Sequence, residues 1–294
     1  VAEALIDEAV LRILCQKLRF FTAVDSQDYD PSLVACQEHI QLARESAAKS
    51  MVLVKNEHKM LPLQKEKIKK LAVIGCLGDT PNTGDRGSSN VRNSYTVTPL
   101  AGIKNLVGEE IEVLYCDGQD LEEVTRTSAD ADVVVIVTGN RTGEEGEFME
   151  VFGDDNNGGD RDTLTIAEDE LLMLNTAAKA NKNCLVVLQG GSAIMMEEWK
   201  DNVSAILISW YAGMEGGNAL ADILFGKVNP SGKLPITIPA NVNQLPYFNK
   251  DAEEIEYGYY HGYTLCDKKG YTPALAFGYG LSYTVYQYQD LRVK

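Results

Sequence analysis

Five uninterrupted apolar runs constrain this chain more than any other feature. They are KLAVIGC (70–76), IEVLYC (111–116), ADVVVIVTG (131–139), NCLVVLQGG (183–191) and VSAILISWYAG (203–213). A strand with one face in water alternates apolar and polar residues. These runs do not alternate, so each strand must be covered on both faces. Parallel strands joined by crossover helices meet that condition, and helical patterns do separate the runs. Thr165, three residues before Glu168, predicts a capping box ahead of Leu171, Leu172, Leu174, Ala177 and Ala178. GGNALADILFG predicts a helix that stops at Gly226. After Pro31, QEHIQLARESAAKSMVLVKN reads as one further helix, and KLPITIP, bracketed by Pro235 and Pro239, reads as an edge strand. At the start of the chain Ala2, Leu5, Ile6, Ala9, Val10, Ile13 and Leu14 form one apolar stripe at helical spacing. The expected fold class is α/β.

Composition narrows function by exclusion. The 294 residues carry 27 basic against 43 acidic side chains, a net charge of −16. A duplex-binding protein needs a basic stripe to displace counterions. None is present, so neither nucleic acid nor a membrane surface is an expected partner. No run of apolar residues is long enough to predict a membrane-spanning helix. The six cysteines form no CxxC pair and the three histidines lie far apart, so no metal site is expected. Cys76, Cys116 and Cys184, in or beside apolar runs, read as buried reduced thiols. There is no GxSxG elbow for an α/β-hydrolase triad. Trp199, Trp210 and the nine tyrosines between 257 and 288 offer faces for a sugar ring, although packing is the commoner use of such residues.

In open α/β sheets ligands bind outside the carboxyl ends of the strands. Function is therefore expected in the loops 75–91, 139–164, 189–193 and 210–217. The second of these is the most unusual. Eight acidic residues lie between Glu144 and Asp162, and only Arg161 offsets them. Such a loop can be simply solvated. It can bind Ca²⁺, although the EF-hand spacing is absent, or Mg²⁺, although no phosphate-binding motif accompanies it. It can also hold a proton donor, its carboxyl raised by like charges and burial, of the kind that protonates a leaving oxygen in glycoside hydrolysis. Composition does not choose among these. The first loop carries Gly75, Gly78 and Gly84 but not the GxGxxG spacing of a dinucleotide site. Its Gly84, Gly87, Ser88 and Ser89 can instead bring backbone N–H groups close to a polar ligand.

Several segments together resemble the second domain of glycoside hydrolase family 3. They are ARESAAKSMVLVKNEHKMLPL (43–63), KLAVIGCLGD (70–79), GDRGSSNV (84–91), TPLAGI (98–103), the pair EEGE and GDRDTLTI within 144–166, WYAGMEGGNALADILFGKVNPSGKLPITIP (210–239) and FGYGLSYT (277–284). They follow the family's order across most of the chain. The resemblance implies a three-layer α/β/α sandwich on a mostly parallel six-stranded sheet with an antiparallel edge strand. It divides the chain into a remnant of the last barrel helix and linker (1–30), the sandwich (31–280) and the start of a fibronectin-III-like domain (281–294).

The activity implied is that of a retaining, exo-acting, β-glucosidase-like hydrolase. Its partners would be a β-linked oligosaccharide or glucoside and the N-terminal barrel domain of the same enzyme, which holds the nucleophile and is absent here. No cofactor or metal is implied. The family's acid/base maps first to Glu145, with Glu144 and Glu147 as alternatives. Gly87 and Ser88 match a loop facing the pocket, and Asp160 with Arg161 matches the downstream Asp-Arg pair. The sequence departs from the family pattern at Ala212, where a proline is frequent, and at Gly262-Tyr263-Thr264, where an arginine is frequent after the tyrosine. Half of a two-carboxylate site implies little activity for the chain alone. Two rival readings are a non-catalytic carbohydrate-binding or scaffold module and, more distantly, a nucleotide-binding α/β enzyme.

Overall fold

A computed structural model describes residues 1–21, 30–84, 91–141, 145, 161, 163–249, 251–287 and 289–293. The chain divides into two compact units, Val1–His39 and Ile40–Lys294. The first holds helix α1 (Glu3–Phe21) and a short turn whose entry is fixed by the Asp30 carboxylate accepting from the Ser32 N–H at 2.8 Å. Every residue of α1 is exposed, its apolar stripe included. Helix α2 (Gln37–Ser50) begins in this unit and continues into the second.

The second unit is built on six strands. In chain order its elements are β1 (Val52–Asn56), β2 (Lys70–Ile74), α3 (Pro99–Val107), β3 (Glu112–Cys116), α4 (Leu121–Asp130), β4 (Val133–Gly139), α5 (Glu168–Ala180), β5 (Cys184–Gln189), β6 (Ala205–Ile208), α6 (Gly216–Leu224) and α7 (Gly262–Lys269). The strand order is β1-β6-β5-β4-β2-β3. All neighbours are parallel except β1, which runs antiparallel to β6.

Successive strand side chains point to opposite faces, and both faces are buried except at the edge strand β3, where only Cys116 is fully buried. Leu71, Val73, Val135, Val137, Leu185, Val187 and Leu207 pack under α3 and α6. Ala72, Ile74, Val134, Ile136, Val186 and Ile206 pack under α5, together with Trp199. The result is a three-layer sandwich with a mixed sheet, as the apolar runs and the family resemblance imply. Each of the five runs contains a strand.

Three local expectations need correction. The long helix after Pro31 stops at Ser50, and Val52–Asn56 is instead the sixth strand. β-Branched Val52 and Val54 suit a strand buried against β6. KLPITIP is not a strand: among the described residues its one bridge is Ile238 to Leu275, and Leu234 makes separate backbone bonds to Gly278 and Tyr279. Pro235 and Pro239 have no N–H to offer a ladder. The predicted capping box does not form either. Ala167 is the N-cap of α5, and the Thr165 hydroxyl lies 3.1 Å from that of Thr163.

The six cysteines are free. Cys116 and Cys184 are buried, and burial pushes the Cys184 thiol up to about 11, which makes it unreactive. Cys76 is partly exposed rather than fully buried. Trp199 is core, with 1 % of its surface exposed.

The two helices over one face approach unusually closely. A Cβ added to Gly102 of α3 would lie 2.0 Å from the carbonyl oxygen of Gly217 in α6. One added to Gly217 would lie 2.0 Å from the carbonyl oxygen of Thr98. Thr98 also caps α3, its hydroxyl accepting from the Ala101 N–H at 3.2 Å and donating to Asp79 at 3.0 Å. This contact ties the loop after β2 to the start of α3, against which Gly217 of α6 packs.

Candidate active site

The strand order reverses between β2 and β4, because the chain leaves β2 toward one edge and returns through β4 toward the other. Ligand clefts in open sheets form at the carboxyl ends of strands beside such a reversal. There the loops after β2, β4, β5 and β6 converge, and Glu145 lies among them.

Backbone geometry sets the approach. Gly139 ends β4 at φ 136°, and a Cβ there would lie 1.9 Å from the carbonyl oxygen of Gln189, so only glycine fits. The Asn140 N–H then donates to that same carbonyl at 2.9 Å, extending the β4–β5 pairing by one residue. Beyond β6, Trp210 occupies the left-handed region at φ 55°, which is uncommon for a bulky residue. Its indole N–H donates to the Ser50 carbonyl at 3.1 Å, and the turn delivers Tyr211 to Glu145.

The Glu145 carboxylate is met by four hydrogen-bond donors and one guanidinium. The Asn140 amide donates to Oε1 at 2.6 Å and the Ser192 hydroxyl at 2.8 Å. The Gly191 N–H donates to Oε2 at 2.6 Å, and the Tyr211 hydroxyl donates to the same oxygen. Arg161 Nε lies 3.3 Å from Oε1, with the Arg161 and Glu145 side chains 13 % and 10 % exposed. Arg161 also donates through Nη2 to the Ser192 hydroxyl and to the Ala193 carbonyl at 3.2 Å. Asn82, from the loop after β2, donates to the Asn140 carbonyl at 3.0 Å and to Gln189 Oε1 at 2.9 Å. Four loops are thus tied through one carboxylate and its partners.

Burial pushes the Glu145 carboxyl up, but Tyr211, Gly191, Ser192 and Arg161 together outweigh it and leave the group below its ordinary 4.5. A carboxyl lowered by folding stabilises the fold above its unfolded value and loses that contribution as pH falls through the lowered folded value. Glu145→Gln is therefore expected to destabilise the chain at neutral pH and to flatten the acid limb of its stability curve below about pH 4.5. Urea midpoints collected from neutral to acid pH check this. An equal loss at neutral pH and at about pH 3 would show that ionisation is not what matters.

Beside this site Glu170 is buried at the start of α5. It accepts from the Thr138 hydroxyl at 2.7 Å and from Arg141 Nη2 at 2.7 Å. This pair fixes the residue that follows Asn140.

Of the site residues predicted from sequence, Glu145 and Arg161 come together directly. Glu144, Glu147, Gly87, Ser88 and Asp160 lie outside the described residues. The sequence alone does not single out Asn140, Gly191, Ser192 and Tyr211 as site residues. Three of the loops named as functional contain them, but their convergence on one carboxylate is a tertiary contact that spacing does not encode.

Together these features define a class: an α/β sandwich domain whose carboxyl edge gathers its loops around a charged polar site. Residues 51–283 match the glycosyl hydrolase family 3 C-terminal domain. Thermostable beta-glucosidase B of Acetivibrio thermocellus is 34% identical, over 100% of this chain and 38% of its own length. A beta-xylosidase of Formosa agariphila is 33% identical, over 96% of this chain and 40% of its own. Among solved structures, a Bifidobacterium adolescentis GH3 beta-glucosidase superposes with a TM-score of 0.76 at 34% identity, covering 92% of this chain and 39% of that one. The Trichoderma reesei beta-D-glucoside glucohydrolase does so with a TM-score of 0.78 at 26% identity, covering 86% and 38%. This chain belongs to glycoside hydrolase family 3 and comprises its C-terminal α/β domain. It spans about two fifths of the length of these relatives.

Proposed function

We propose that the chain is the acid/base-bearing part of a retaining, exo-acting β-glycoside hydrolase. In this reading the nucleophilic carboxylate comes from an N-terminal barrel domain, and the loop after β4 supplies the second carboxyl from Glu144, Glu145 or Glu147. Retaining hydrolysis places the two carboxyls about 5–5.5 Å apart. One attacks the anomeric carbon. The other protonates the leaving oxygen and then takes a proton from the incoming water. In this reading Gly87, Ser88, Asp160 and Arg161 serve substrate binding, residues 1–30 belong to the last barrel helix and linker, and residues 281–294 open a fibronectin-III-like domain.

The observation that supports this most is the position of Glu145. It is a largely buried carboxylate on the carboxyl edge of the sheet, held by residues from the loops after β4, β5 and β6. Its lowered pKa in this chain fits a site that still lacks its second carboxylate. A nearby negative charge and further burial would both raise it toward the range of a proton donor. A second reading is favoured by the four donors and the guanidinium themselves. Here Glu145 stays ionised and anchors the loop, while Glu144 or Glu147 carries the proton.

On either reading the 294-residue chain alone lacks a nucleophile. Incubated with 4-nitrophenyl β-D-glucopyranoside, it is expected to release no nitrophenol above the solution rate. A burst stoichiometric with the chain would overturn the division of carboxylates.

A further inference from the structure

The end of the sheet opposite Glu145 carries a separate concavity. A cleft of about 590 Å³ opens there between residues 58–68, which follow β1, the start of β4, and Asn183 just before β5. Small-molecule sites fall within roughly 300–1,000 Å³. Met60, Pro62, Leu63 and Ile68 give it an apolar wall. His58, Lys59 and Lys67 line it as well, and all three are exposed.

Charge sets this place apart. The whole chain carries a net charge of −16. Yet the side chains of His58, Lys59 and Lys67 make no ion pair or hydrogen bond with another described residue. Acids beside the cleft are matched by lysines outside it: Glu57 by Lys55 at 3.2 Å, Glu110 by Lys65 at 3.1 Å and Asp130 by Lys70 at 2.7 Å. Glu66 is exposed and does not line the cleft. Asp132 is the one carboxylate in the wall among the described residues. Its Oδ2 already accepts from the backbone N–H groups of Lys69 at 2.7 Å and Lys70 at 3.0 Å. The cleft therefore offers a local positive potential on an acidic protein.

The loop that presents these cations is braced before any ligand arrives. The Asn56 amide donates to the Leu61 carbonyl and its oxygen accepts from the Leu61 N–H, both at 2.9 Å, closing the turn that bears His58 and Lys59. The Leu63 N–H donates to the Leu224 carbonyl at 2.7 Å. Within the turn His58 and Lys59 both occupy the left-handed region, at φ 52° and 56°. Side-chain-bearing residues pay for that conformation, and such strain concentrates at ligand sites. A preformed loop lowers the ordering cost of binding.

The lining selects among anions. No arginine is present to meet a carboxylate with a planar fork, whereas lysine ammoniums act as point charges suited to a compact phosphate. No Phe, Tyr or Trp lines the cleft to stack a nucleobase. We propose that this cleft binds a non-nucleotide phosphate monoester, its phosphate met by Lys59 and Lys67 and its carbon skeleton by Met60 and Pro62. The proposal does not depend on the reaction above, because Glu145 and its partners lie at the other end of the strands.

The test is a ¹H–¹⁵N titration of the 294-residue chain with glucose 6-phosphate, inorganic phosphate and glucose at constant ionic strength, which holds non-specific screening fixed. Glucose 6-phosphate is expected to give saturable shifts at Lys59, Lys67 and Asn183. Inorganic phosphate binds the same amides more weakly, and glucose leaves them unmoved. Lys59→Met and Lys67→Met each weaken the binding by roughly fivefold. Both side chains are exposed, so their urea midpoints stay unchanged. Lys69→Met removes the same charge from the same segment outside the cleft and leaves the affinity as it was. No saturable shift with glucose 6-phosphate, unchanged affinity in Lys59→Met and Lys67→Met, or an equal loss in Lys69→Met overturns the proposal. Inorganic phosphate binding as tightly as the ester overturns the assignment to a monoester.

Discussion

In an enzyme carrying both domains, Glu145→Ala is expected to lower turnover of an alkyl β-glucoside by about 10²- to 10⁴-fold, the usual contribution of a positioned acid. The loss should depend on the leaving group. An alkoxide leaves only with a proton, whereas dinitrophenolate leaves without one. Turnover of 2,4-dinitrophenyl β-D-glucopyranoside should therefore fall far less. A plot of kcat/KM against leaving-group acidity is shallow for the unmodified enzyme and becomes steep for the variant. The second reading predicts a different pattern. If Glu145 only anchors the loop, its removal displaces Asn140, Ser192, Tyr211 and Arg161 together. Both substrates then suffer equally, and the steep plot appears instead in Glu144→Ala or Glu147→Ala.

The second large effect concerns the scaffold. Gly102→Val is expected to destabilise the sandwich by about 3 kcal/mol or more, beyond ordinary overpacking, because the new atoms meet backbone rather than a yielding side chain. The nearest atoms to an added Cβ are the carbonyl oxygen and carbon of Gly217 at 2.0 and 2.1 Å and the nitrogen of Asn218 at 2.7 Å. The helices must separate, which opens the core over Ile103, Leu220 and Ile223. Such a loss is large beside a total stability of about 5–15 kcal/mol. Gly108→Ala is the matched control. Its Cβ would meet nothing within 4 Å, so only the backbone strain at φ 60° remains. Urea midpoints of the two variants should separate clearly. Equal midpoints would mean that α3 and α6 do not touch through their backbones.

How much of this was legible in the sequence follows from what each element is buried against. The strands β2, β4, β5 and β6 are covered on both faces, so they stand out as unbroken apolar runs; β3, at the sheet edge, fully buries only Cys116 although its run is equally apolar. β1 did not stand out. Val52–Asn56 follows α2 after the single residue Met51, and a short apolar run continuing a helical pattern has no periodicity of its own. KLPITIP erred in the other direction, because its alternation is genuine while its prolines deny it a ladder. The acidic loop is legible as an anomaly, and only the family resemblance points within it to Glu145, with Glu144 and Glu147 as alternatives. The partners of Glu145 are not legible. Tyr211 lies 66 residues away and Ser192 lies 47 away, brought in by the β4–β5–β6 register and by the left-handed turn at Trp210. The lowering of the Glu145 carboxyl was equally hidden, because the acidic neighbourhood in sequence suggested a raised one. The donors folded around the group decide its charge.

The central claim, that this domain brings the acid/base to a retaining glycosidase, meets its most direct test in azide trapping. An enzyme with both domains and one glutamate of 144, 145 or 147 replaced by alanine is given 2,4-dinitrophenyl β-D-glucopyranoside and sodium azide. Azide needs no general base, so it attacks the glycosyl-enzyme that water cannot reach unaided. The account predicts that one variant, Glu145→Ala first, accelerates with azide and yields β-glucosyl azide. Azide-independent rates and no glycosyl azide in all three variants would contradict it.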